Sequence, residues 1–258
     1  MKERPRAAPV PWLLRVCDGL NLPAMVAALL LAAAPVRGAE PRDCLAWIAR
    51  AEAVLARTDN YTATFHKREM VGGTLRPEET VFFKFKKPFM AYMKWIKPPN
   101  RGTEVIYVEG WNGNRLRAHQ GGILNILNFN LDPRGTLAMR QNRHPVTDAG
   151  LDHLLGIVGG DVRKAVRAGE FQFTDHGEDA VYGRRSRRLE GSFTADRSRG
   201  YYCSRAILQM DLALSIPLEV QIYDWDGRLV EDYGYEGLKL DAGLTAADFD
   251  PKNPAYAF

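Results

Sequence analysis

From Tyr61 to Ala118 the chain alternates apolar and polar side chains with a period of two, and short turns divide the pattern. Tyr61-Thr-Ala-Thr-Phe65 is the first run. Val81, Phe83 and Phe85 then fall on one side, with Lys84 and Lys86 on the other. Ala91, Met93 and Trp95 oppose Tyr92 and Lys94 in the same way, and further runs cover Thr103 to Val108 and Arg115 to Ala118. Alternation rich in aromatic and β-branched residues marks strands with one buried face. The turns at Gly72-Gly73, Lys87-Pro88, Pro98-Pro99-Asn100 and Trp111-Asn-Gly-Asn114 join these strands in sequence, which predicts an antiparallel meander.

A different period flanks and interrupts the strands. Cys44, Ile48, Ala51 and Leu55 are spaced to share one face of a helix from Cys44 to about Arg57, with Asp43 as its cap. Alternation returns from Ile126 to Leu131 and closes at the turn Asp132-Pro133-Arg134-Gly135. A helical insertion is predicted over about 147–168, because Leu151, Leu154, Leu155, Val158, Val162 and Val166 form one stripe. Gly159-Gly160-Asp161 predicts a break there, with Asp161 capping a second helix. Strands resume at 170–175, 180–190, 200–210, 216–225 and 228–238, and Asp226-Gly227 is a two-residue hairpin signal. The tail from Leu238 to Phe258 reads as loop, with Phe249 plugging the core. The fold class expected is α+β and β-rich: a strongly curled antiparallel sheet, an unclosed barrel of about 10–11 strands, with helices on its concave face.

Charge changes the picture only through the first residues. Lys2, Arg4, Arg6 and Arg15 precede an apolar run from Leu20 to Val36, with the small residues Val36 and Gly38 placed for signal-peptidase cleavage. Residues 1–38 are expected to be a signal peptide and 39–258 a single exported domain in the periplasm; an inner-membrane anchor is the alternative. Losing that leader takes Arg37 as well, five basic residues against the two acids Glu3 and Asp18. The 35 basic and 31 acidic residues then become 30 and 29. A near-neutral mature chain gives no reason to expect nucleic acid as a partner. Cys17 leaves with the leader, and the even pair Cys44 and Cys203 is expected to form a disulfide in an oxidising compartment, two separate buried thiols being the other reading.

Several stretches resemble one family. The opening helix followed by Asn60-Tyr-Thr-Ala-Thr-Phe65 is similar to the first helix and strand of the periplasmic outer-membrane lipoprotein carriers and their receptor relatives, the Lol-type (LolA/LolB-like) superfamily. Lys87-Pro-Phe89 to Trp95, then Glu109-Gly-Trp-Asn-Gly113, resembles that family's strand–turn–strand run. Pro217 to Tyr223, Asp226-Gly227, Leu238 and Asp248-Phe249 resemble its closing hairpin and tail. The resemblance points to an uncharacterised exported bacterial branch. It implies helices lidding an apolar cavity for acyl chains or another hydrophobic ligand. Two departures stand out: the insertion from Gly121 to Gly169 is longer than a carrier's lid, and no residue matches the carriers' gating arginine.

The candidate ligand-binding set is the inward-facing Phe65, Val81, Phe83, Phe85, Met93, Trp95 and Leu116, opposed by Leu151, Leu154 and Leu155. A curled sheet too wide for its helices to fill leaves a pocket, whereas a filled one makes these residues plain core. The expected ligand is a hydrophobic molecule or a lipidated protein, with a membrane-associated partner possible. The alternative is a regulatory or scaffold module that binds a partner's segment on its concave face. Catalytic signals are weaker. His144, Asp148, Asp152 and His153 cluster in sequence, and Asp148 and Asp152 would share a face of a helix begun at Thr147. Nothing with metal-ligand spacing accompanies them, and nucleophile and nucleotide motifs are missing, so no enzyme activity and no cofactor are expected. The arginine run Arg184, Arg185, Arg187 and Arg188, with Arg197, Arg199 and Arg205, reads either as an anionic contact or as a solvated strand face among nearby acids.

Overall fold

The structure is a computed structural model and describes residues 40–122 and 127–258. The leader, Cys17 and the Ile126 start of one expected strand lie outside the described residues. Helix α1 (Pro41–Arg57) starts earlier than expected, because Glu40 and Asp43 satisfy each other's backbone N–H groups in a capping box. The strands β1 (Asn60–Val71), β2 (Thr74–Leu75), β3 (Glu79–Lys86), β4 (Met90–Trp95), β5 (Glu104–Val108), β6 (Leu116–His119) and β7 (Asn128–Leu131) follow. A short helix α2 (Thr136–Met139) and the long α3 (Leu151–Ala168) interrupt the sheet. It then continues as β8 (Phe171–Val181), β9 (Arg184–Phe193), β10 (Arg205–Asp211), β11 (Pro217–Tyr223) and β12 (Leu229–Leu240).

Among the described residues these form one open antiparallel sheet in the order β7-β6-β5-β4-β3-β1-β12-β11-β10-β9-β8, with the two-residue β2 beside β1. That short ribbon accounts for the twelfth strand beyond the expected eleven. The first and last strands of the sheet pair at its centre, with Phe65 opposite Tyr235 and Glu69 opposite Glu231.

The two halves of the trough are covered differently. On α1, Cys44 and Ile48 sit against Phe171, Phe173, Leu189, Leu208 and Met210 of β8, β9 and β10, with a void of only about 20 Å³ between them. Beside it α3 runs over the middle of the sheet, with Leu151, Leu155, Val158 and Val162 buried. The predicted break at Gly159-Gly160 is absent, since α3 is continuous to Ala168. Gly159 is instead where the helices touch: a Cβ there would lie 3.0 Å from Ile48 Cγ2. Asp161 caps nothing and accepts the backbone N–H of Tyr202 at 2.6 Å. Helix α3 is preceded by Gly150, whose φ of 109° and tight fit against Tyr61 and Phe85 exclude a side chain. The Tyr61 hydroxyl accepts the first orphan amide of the helix, from Leu151, at 2.9 Å.

The convex face is partly closed by the tail. Phe249 is buried against Tyr92 and Ile106, and Tyr256 stacks on Tyr92 at 4.1 Å. Lys84 donates to Asp248 at 2.8 Å and to the Tyr256 hydroxyl at 3.0 Å, which fixes the tail.

The expected Cys44–Cys203 disulfide is not formed. Both residues are free, buried thiols. Burial pushes both thiols up to about 12. No helix among the described residues is long and apolar enough to cross a membrane.

Candidate functional site, an apolar cavity with a polar end

Where α1 does not reach, the trough is roofed by the segment 132–150 together with α3. A cavity of about 180 Å³ lies beneath it. Its sheet wall is made by inward residues of alternating parity: Phe65 on β1, Val81 on β3, Met93 and Trp95 on β4, Leu116 and Ala118 on β6, and Leu131 on β7. Helix α3 contributes His153, Leu154, Ile157 and Val158, and the roof contributes Pro133, Ala138, Val146 and Ala149.

Six of the ten residues expected from the sequence line this cavity: Phe65, Val81, Met93, Trp95, Leu116 and Leu154. The other four do not. Phe83, Phe85, Leu151 and Leu155 are filled core; Tyr61 packs edge-on to Phe83 and stacked on Phe85, with centroids 5.9 and 5.1 Å apart. Adjacent leucines on α3 thus part company, Leu154 toward the space and Leu155 toward α1 and β10.

One end of the cavity is polar and was not read from the sequence. β1 continues to Val71, so Lys67 and Glu69 inherit the inward parity of Phe65. On β12, Glu231 and Tyr233 share the parity of Tyr235. Two buried carboxylates are therefore directly opposite each other, Glu69 at 4% and Glu231 at 2% exposure. Facing like charges are destabilising unless matched, and the roof supplies the match. Arg143 donates to Glu231 from its side chain at 2.6 Å and to Glu69 from its backbone N–H at 2.8 Å. His144 Nε2 meets Glu231 at 3.0 Å, and the Tyr202 hydroxyl donates to the same carboxylate. Tyr233 donates to Glu69 at 2.6 Å. Lys67 lies 3.1 Å from Glu79 and 3.5 Å from Glu69, and it also donates to Asn142 of the roof.

The electrostatics follow from this arrangement. Burial opposes the charged imidazole of His144, but its hydrogen bond to Glu231 and that carboxylate's charge outweigh burial and raise its pKa above the ordinary 6.5. Burial likewise opposes the Glu231 carboxylate, yet the hydrogen bonds from His144 and Tyr202 hold it below the ordinary 4.5. The roof is thereby latched to the sheet by charge-assisted bonds.

Of the acidic and histidine cluster read from the sequence, His144, Asp148 and His153 line the cavity and Asp152 does not. Asp148 belongs to a short 3₁₀ turn ahead of α3, so it does not share a helix face with Asp152. Asp148 pairs with Arg134 at 2.8 Å, Asp152 with Lys87 at 3.2 Å, and His153 lines the cavity. Three arginines of the run are paired with acids: Arg184 with Asp211, Arg185 with Glu178, and Arg187 with Asp175, at 2.5, 2.6 and 2.7 Å.

The family described as "Protein of unknown function (DUF1571)" matches residues 58–258. The chain belongs to this family. No curated protein matches the sequence. Among solved structures, the lipoprotein LppX of Mycobacterium tuberculosis is similar at 12% identity and a TM-score of 0.49, covering 82% of this chain and 100% of that one. The LolA superfamily protein of Nitrosomonas europaea is similar at 14% identity and a TM-score of 0.33, covering 80% of this chain and 96% of that one. The MucA/MucB complex of Pseudomonas aeruginosa is similar at 16% identity and a TM-score of 0.46, covering 81% of this chain and 60% of that one. The function of the DUF1571 chain has to be argued from its own cavity.

Proposed function

We propose that this DUF1571 protein is an exported, periplasmic carrier or binding protein for a hydrophobic ligand, held between the curled sheet and its helical cover. The observation that carries this reading is the largely apolar cavity of about 180 Å³ beneath the roof, against a void of only about 20 Å³ under α1. An apolar-lined concave space with a few polar groups at one end is the form that ligand pockets take.

Mass spectrometry of an organic extract of the protein purified from its native host should find a bound apolar molecule, and N-terminal sequencing should begin near Ala39. The variant Leu154→Glu places a charge in the cavity at a position that is only partly buried, so the protein should fold and lose the ligand. Leu155→Glu, at a core position, should fail to fold. A Leu154→Glu protein that retains the extractable ligand in full would refute the placement.

A second reading is favoured by one observation. The edge strand β7 leaves Phe129 41% exposed, and Leu137 on α2 is 68% exposed. Both adjoin cavity-lining residues, Leu131 and Ala138. An extended segment of a partner protein added to this edge would place an apolar side chain at the cavity. An extract free of apolar small molecules, together with a copurifying protein lost on Phe129→Lys, would favour this reading.

A further inference from the structure

Two voids lie under the helical cover, and a single side chain stands between them. The larger is the cavity of about 180 Å³ beneath the roof, and the smaller, of about 20 Å³, lies between α1 and the strands β8 to β10. Among the described residues, Val158 of α3 is the only one that lines both. It is 7% exposed. Its neighbours one turn away along the same helix face are divided, Leu154 lining the larger space and Val162 the smaller.

The larger cavity has a direction. Along its sheet wall Met93, Trp95, Val105, Ala118 and Leu131, on β4 to β7, are each partly exposed. Across from them Ile222, Tyr233 and Tyr235, on β11 and β12, are buried, as is Val158. The mouth therefore lies on the β4–β7 side and Val158 on the blind side. A polar group of a ligand is less costly near water, so it stays at the mouth while the apolar chain runs toward Val158. The space is close to the roughly 150 Å³ that accepts one benzene, so one slender chain fills it. Beyond Val158 the smaller void is lined mainly by apolar side chains, among them Leu155, Val162, Ala206 and Leu208. A chain end would be stable there, but the side chain of Val158 bars the way.

We propose that Val158 determines specificity: its two methyl groups form the wall that ends the chain-binding space, and so set the length of the single apolar chain the protein accepts. This rests on the hydrophobic-ligand reading above.

The test is calorimetric titration of the purified, delipidated protein with straight-chain primary alcohols from hexanol to dodecanol, each kept below its solubility limit. A methylene that finds apolar room strengthens binding about fourfold, and one that finds none adds nothing. Affinity should therefore climb with chain length to a break and then level off. Val158→Ala joins the two voids and should move the break about two methylenes longer, so that alcohols past the wild-type break bind about tenfold more tightly. Val162→Ala removes the same two methyl groups from the wall of the smaller void alone, and should leave the break in place. Val158→Leu thickens the wall and should bring the break forward; it decides the matter by itself if Val158→Ala does not fold. A break that stays put in the folded Val158 variants, or that shifts equally in Val162→Ala, would overturn the assignment and leave the hydrophobic-ligand reading intact. Absence of binding by every alcohol would overturn this inference and the function it rests on together.

Discussion

Replacing Gly160 with alanine should stabilise the protein, and the same change one residue earlier should not. Both glycines lie inside α3, where alanine is favoured over glycine by about 1 kcal/mol because the unfolded glycine has more conformations to lose. At Gly160 an added Cβ meets nothing within 4 Å, so the full gain should appear. At Gly159 the same atom would sit 3.0 Å from Ile48 Cγ2, 3.1 Å from Glu52 Oε1 and 2.9 Å from Arg163 Nη1. The two polar atoms end flexible side chains and can move aside. Ile48 is buried in the core and can move only with α1. Overpacking of this kind costs about 1–3 kcal/mol. Gly160→Ala should therefore gain about 1 kcal/mol, and Gly159→Ala should range from neutral to about 2 kcal/mol worse. Each kcal/mol corresponds to about 2–4 °C in a chain of this size. Thermal unfolding followed by circular dichroism, with urea midpoints as a second measure, separates the two variants. Equal stabilisation by both would show that α1 does not rest on α3 at Gly159, and the account of the continuous helix would fail.

Other outcomes follow from the polar end and the thiols. Glu231→Gln keeps the shape but leaves Arg143 and His144 without their carboxylate. It should cost about 2–3 kcal/mol, less than a fully buried pair because the Arg143 side chain is 35% exposed, and unchanged urea stability would contradict the latch. The raised pKa of His144 contributes stability that is full below its ordinary 6.5 and fades as pH rises through its folded value; the depressed pKa of Glu231 contributes stability that is full above 4.5 and fades as pH falls through its own. The stability advantage of the wild type over His144→Asn should accordingly be larger near about pH 6 than near about pH 9, and a flat difference would refute the pairing. Cys44 and Cys203 should react slowly with thiol reagents in the native state at mild pH and as two free thiols after denaturation, whereas finding none in the unreduced denatured protein would restore the bridge.

Period-two alternation was enough to place Phe65, Val81, Met93, Trp95 and Leu116 on one face, because strand geometry sends successive side chains to opposite sides whatever the partner strand. The helical period in turn located both long helices, though not that the second runs unbroken through Gly159-Gly160. It could not say which strands pair. The join of β1 to β12 at the centre of the sheet is set by packing across nearly the whole chain, and it alone brings Glu69 opposite Glu231. Local propensity was misleading at Gly159-Gly160, where a helix breaker is kept because two helices must approach closely there. It was equally silent on Leu154 and Leu155, since helical periodicity assigns both to one broad stripe. Only the position of α1 decides that one meets a cavity and the other a packed core. The polar end is assembled from Glu69, Arg143, Tyr202 and Glu231, and their carboxylates are tolerable in the interior only because residues distant in sequence converge to pair them. Faces are a property of local backbone geometry, whereas cavities and charge pairs exist only once distant elements have met.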